Sequence, residues 1–84
     1  MADTFQIEVV TPEKLVLDQQ AEFAEIPGED GYLGVLAGHA ALLGELGDGT
    51  LKITAGGQTR ELHISGGYVE VRNNHVRVLA DKAG

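Results

Sequence analysis

The sequence predicts an all-β fold, a two-sheet antiparallel β-sandwich or flattened barrel of about 8–10 short strands. Three observations carry that expectation. Apolar residues alternate with polar ones at period two in several short runs, the pattern of strands buried on one face. Turn residues, many of them from the chain's 12 glycines, separate these runs. No stretch of ten or more residues carries apolar side chains at helical spacing. With 84 residues the chain is long enough for one modest core, so residues 1–84 are read as a single sandwich domain.

Taken in order, Phe5, Ile7 and Val9 alternate with Gln6 and Glu8, and Thr11-Pro12 ends that strand because proline cannot donate to a ladder. Leu15 to Leu17 is short and unpatterned. From Ala21 to Ile26 the phase is lost, since Phe23 and Ile26 cannot share a face of a regular strand, and a β-bulge is expected there. Pro27-Gly28 and Asp30-Gly31 supply turn chemistry, and Asp48-Gly49 opens the next strand. The segment His39 to Leu46 leaves room for one short helical turn at most, because Gly44 interrupts it. Leu51, Ile53 and Ala55 alternate with Thr50, Lys52 and Thr54; Gly56-Gly57 then suits a tight hairpin into Gln58–Ile64. Gly66-Gly67 breaks this run, and Val69 and Val71 resume it. Asn73-Asn74 is a second hairpin signal, followed by Val76, Val78 and Ala80 in one phase. The carboxyl-terminal half thus reads as an antiparallel meander.

Composition excludes several classes of function. The formal net charge of −7 repels nucleic acid and anionic membrane surfaces, and the six Lys and Arg form no cluster. The absence of cysteine removes disulfides, thiolate metal sites and cysteine nucleophiles. Met1-Ala2-Asp3-Thr4 places an acid where a secretory leader needs positive charge, and no apolar run is long enough to cross a bilayer.

No catalytic constellation assembles. Gly28, Gly31 and Gly34 are spaced like a phosphate loop, but no Lys-Ser or Lys-Thr follows them and Glu29-Asp30 would repel a phosphate, so they read as hairpin glycines. His39, His63 and His75 match no ligand spacing; His63 and His75 are expected to face solvent, with no carboxylate beside them on the same strand face. Ser65 lacks the context of a nucleophile elbow. Glu22 and Glu25, three apart on a strand, fall on opposite faces and form no acid–base pair. No catalytic residue, cofactor or metal is therefore assigned. The crowded apolar segment Tyr32, Leu33, Val35, Leu36, Leu42, Leu43 and Leu46 remains; it either fills one end of the core or marks a partner surface.

That segment also carries a resemblance. Gly31 to Leu43 is similar to the G-x-L-G-x-x-P-G-H-A-P-L-L stretch of the epsilon subunit of F-type ATP synthases. Phe5 to Glu13 resembles the opening strand of that family, and Ser65 to Val71 followed by Asn74 to Asp81 resembles its S-G-G-x-x-E-V and N-x-V-x-V-L-A-D ending. The resemblance implies the ten-stranded sandwich of the epsilon amino-terminal domain. It also implies a non-catalytic rotor element of the central stalk that joins the gamma subunit to the membrane c-ring, peripheral to the cytoplasmic face of the energy-coupling membrane. On that reading the loop Glu29, Asp30, Gly31, Tyr32, Leu33, Gly34 faces the c-ring, and Thr11, His39, Leu42 and Leu43 face gamma. Tyr32 stands where the family often has Glu, and Ala37 and Ala41 stand where prolines are common. The family's helical hairpin would follow the last strand; the sequence stops at Gly84, cut at the domain boundary or naturally short, so no inhibitory or ATP-binding role is carried over. The rival expectation is a free-standing module that binds another protein through Tyr32–Leu46.

Overall fold

A computed structural model describes residues 3–84. Met1 and Ala2, part of the stretch read above for a leader, lie outside them. Eight strands follow one another: β1 (Phe5–Val10), β2 (Leu15–Ala21), β3 (Phe23–Gly28), β4 (Gly31–Leu36), β5 (Leu42–Glu45), β6 (Asp48–Ala55), β7 (Gln58–Arg72) and β8 (His75–Ala83). No helix occurs among the described residues. The strand count is at the low end of expectation because β7, 15 residues long, serves both layers.

Hydrogen bonding runs β2-β1-β8-β7-β6-β3-β4, with β5 also on β7. Residues 58–65 of β7 pair with β6, and residues 68–71 pair with β5. The strand therefore leaves one layer, β7-β6-β3-β4, and enters the other, β2-β1-β8-β7-β5. Gly66 and Gly67 make that passage at φ 67° and 110°. They bend β7 rather than break it, as the sequence had suggested, because β8 pairs with β7 on both sides of the bend. A Cβ at Gly67 would overlap the Leu79 carbonyl oxygen, so only glycine permits β8 to lie so close. All pairings are antiparallel except β1 with β8, which are parallel and central to their layer.

The core follows the period-two expectation. Phe5, Ile7 and Val9 of β1, Leu51 and Ile53 of β6, Val69 and Val71 of β7, and Val76, Val78 and Ala80 of β8 are all buried. Both two-residue hairpins form as read: Gly56 and Gly57 have positive φ, and so do Asn73 and Asn74, the only non-glycine residues in that region among the described residues.

Three expectations change. No bulge lies in Ala21–Ile26. The chain turns a corner at Glu22, whose N–H bonds the Thr54 carbonyl at 2.8 Å, so Ala21 ends β2 in one layer and Ala24 begins the buried phase of β3 in the other. β2 is a full strand despite its polar Asp18-Gln19-Gln20, because Leu17 and Ala21 reach the core from the face opposite Asp18 and Gln20. Finally, Leu42–Glu45 is a strand, not a helical turn; Leu42 pairs with Val71 and packs against the core.

A candidate interaction surface

The β3–β4 hairpin is pinned at its tip. Gly28 and Gly31 close a two-residue turn over Glu29-Asp30. The Glu29 N–H donates to the Glu45 carbonyl at 3.0 Å, and the Gly47 N–H donates to the Pro27 carbonyl at 3.0 Å, which ties the tip to the end of β5. The Thr50 N–H donates to the Tyr32 hydroxyl at 3.1 Å. Gly49 makes that contact possible, since a Cβ there would stand 2.5 Å from the Tyr32 oxygen and 2.8 Å from the Pro27 Cβ. The Glu29 carboxyl is hydrogen-bonded to Glu45 and repelled by its charge, and both effects hold its pKa above the ordinary 4.5.

The Tyr32–Leu46 segment divides. Val35 and Leu46 are buried, while Tyr32, Leu36 and Leu43 are 57%, 61% and 73% exposed. Of the residues singled out from the sequence, His39, Leu42 and Leu43 share the connection from β4 to β5 and its first two strand positions. The imidazole Nδ1 of His39 lies 2.7 Å from the Ala40 carbonyl. Thr11 is elsewhere. It sits just beyond Val10, which aligns through Leu79 and Tyr68 with Glu45 at the hairpin-tip end. Its hydroxyl is committed to the β1–β2 turn, within 3.3 Å of the Lys14 carbonyl and 3.4 Å of the Lys14 nitrogen.

Two features escaped the sequence reading. Leu15, Val10, Leu79 and Tyr68 line up across β2, β1, β8 and β7 on the outer face of one layer, with Tyr68 55% exposed. The row exists only because β8 lies beside β1. The second is a cluster around Glu8: His75 is not simply solvated, because its Nε2 contacts the Glu8 carboxylate, and Arg77 lies 3.8 Å from the same oxygen. The parallel pairing again brings them together, placing Glu8 opposite Arg77 one position beyond His75's neighbour. Ser65 donates to Asp48 at 2.7 Å and serves the β6–β7 pairing. Among the described residues no three His, Asp or Glu side chains converge as metal ligands.

The residues so arranged offer surfaces, and comparison with known proteins gives the family. Residues 4–84 match the family described as the ATP synthase delta/epsilon chain beta-sandwich domain. The chain belongs to this family. It is 51% identical over 83 residues to the ATP synthase epsilon chain of Solibacter usitatus and 45% identical over 83 residues to that of Desulforamulus reducens. Both alignments cover 99% of this chain but only 62% and 63% of those relatives, so the chain spans about three-fifths of the length of the epsilon chains it matches. Among solved structures, a chain of the Euglena gracilis mitochondrial ATP synthase (OSCP/F1/c-ring) superposes with a TM-score of 0.90 at 25% identity, covering 96% of this chain and 52% of that one. A chain from the central stalk and c-ring of the Tetrahymena thermophila enzyme has the same fold, with a TM-score of 0.80 at 19% identity over 99% of this chain and 67% of that one.

Proposed function

We propose that the chain is the sandwich part of a non-catalytic rotor subunit of an F-type ATP synthase. It links gamma to the c-ring, so that proton-driven rotation of the ring reaches the catalytic head. The observation that carries this reading is the family match over residues 4–84, on a molecule whose conspicuous features are exposed apolar side chains. The pinned hairpin, Glu29 to Gly34, is assigned to the polar loops of the ring, with Tyr32 offering an aromatic contact. His39, Leu42, Leu43 and Thr11 are assigned to gamma. Because the protein carries a net charge of −7, recognition of either neighbour rests on local pairs rather than bulk attraction. The subunit is placed at the cytoplasmic face of the membrane, held there by its neighbours. No helix among the described residues is long and apolar enough to cross a bilayer.

A pull-down with gamma and with isolated c-ring tests the proposal, and retention on both is the expected outcome. Binding to neither overturns it. The exposure of Leu36 and Leu43 also suits a module for a partner outside the synthase. Capture of such a partner together with failure to bind gamma would favour that second reading.

A further inference from the structure

β4 pairs only with β3, so one edge of it is open among the described residues. The phase of the open groups follows from Pro27. Its carbonyl is taken by Gly47 on the side away from β4, and proline has no N–H. Tyr32, its partner in register, therefore directs its own N–H and C=O to the free edge, and at period two so does Gly34; Leu36 offers its N–H there, its carbonyl being taken by the His39 N–H. Of the other outer strands, β2 carries Asp18 and is covered at Gln19 by Arg60, 3.4 Å away, and the short β5 carries Glu45, whose carbonyl is taken by Glu29 of the hairpin tip. By contrast β4 reads Gly-Tyr-Leu-Gly-Val-Leu, with no charge and no proline to discourage pairing.

We propose that this edge pairs antiparallel with the same edge of a second copy, about a two-fold axis at Gly34. The register is self-complementary. Gly34 meets Gly34 and exchanges two hydrogen bonds, and on either side the Leu36 N–H donates to the Tyr32 carbonyl of the other copy, for about four main-chain bonds in all, since the Leu36 carbonyl already accepts the His39 N–H at 3.2 Å. The mostly exposed Leu36 side chain and Phe23 beneath Gly34 give the junction an apolar cover on one face, while the Tyr32 ring leans back over Pro27 to Thr50. The same register sets the acidic Glu29-Asp30 turn of each copy against the Gly38-His39 connection of the other, which carries no acid. No like charges meet along the junction, and the remaining repulsion is the general one between two bodies of charge −7. The dimer does not rest on the rotor reading: a chain that fails to bind gamma or the ring still has this edge.

Sedimentation velocity from about 10 μM to about 1 mM, a span suited to a small interface, tests it. The expected result is a concentration-dependent dimer whose fraction rises with ionic strength. Leu36→Lys sets a charge in the stripe, and Gly34→Pro removes the axial donor; each weakens association at least about tenfold without changing the far-ultraviolet spectrum. Gly34→Cys reads the register directly, because it is expected to form an intermolecular disulfide on mild oxidation while Leu43→Cys, off the strand, does not. A chain that stays monomeric throughout overturns the proposal. So does a dimer indifferent to both strand substitutions, or one that cross-links only through position 43.

Discussion

Single residues here hold the backbone in positions that others cannot reach. Gly67 combines φ 110° with a Cβ position occupied by a neighbouring carbonyl, whereas Gly57, at φ 77°, faces open space. Gly67→Ala is therefore expected to cost about 3 kcal/mol or more, and Gly57→Ala about 1 kcal/mol, by urea denaturation. Tyr32→Phe deletes the acceptor of the Thr50 N–H and is expected to cost about 1 kcal/mol with the fold retained. The Glu29 carboxyl gives a pH dependence. Its folded-state pKa is raised, so its stabilising effect is complete below the ordinary 4.5 and is lost as pH rises through the higher folded value. Amide exchange at Glu29, whose N–H reaches the Glu45 carbonyl, should accordingly quicken above that value beyond its intrinsic pH dependence, and Glu29→Gln should abolish the extra step.

At the scale of elements, the turns do more than reverse the chain. Asn74 tolerates φ 62°, accepts from the Gly38 N–H at 2.9 Å, and donates to the Thr4 carbonyl at 2.7 Å. It thus ties the β7–β8 hairpin to the start of β1 and to the exit of β4. Asn74→Gly keeps the turn but loses both bonds, at an expected cost of about 1–2 kcal/mol; Asn74→Ala adds backbone strain and is expected to cost about 1 kcal/mol more, both by thermal or urea melts. These hairpins were legible because Gly-Gly and Asn-Asn have few other uses between alternating runs. β1, β6 and β8 were legible because each buries one face only. β2 was not, since two small patches of core contact, Leu17 and Ala21, are separated by three polar residues. The corner at Glu22 imitated a bulge because a change of layer and an extra residue both shift the apolar phase, and only the long-range bond to Thr54 tells them apart.

For the whole molecule, stability and recognition use opposite faces of the same strands. Ile7, wholly buried in a central strand, is expected to lose about 3–4 kcal/mol as Ile7→Ala. Leu43→Ser and Tyr68→Ser, on the exposed side, are expected to change stability by less than about 1 kcal/mol. If the Leu43 edge meets gamma as proposed, Leu43→Ser should still lower retention on gamma in the pull-down. The candidate surface was legible only in part. The sequence marked Tyr32–Leu46 as crowded, but it could not divide that segment into core and surface. Nor could it foresee the Leu15–Val10–Leu79–Tyr68 row, which depends on a pairing between strands nearly seventy residues apart.

That parallel pairing also governs when the protein can form. β1 and β8 are neighbours in the middle of a layer, not at its rim. β1 must wait for β8 before its inner side chains are covered. A nascent chain is thus expected to stay open, and exposed to chaperones, until residues near Ala83 have left the ribosome. Its refolding in vitro should be slow for its length, set by the meeting of distant segments rather than by its tight turns.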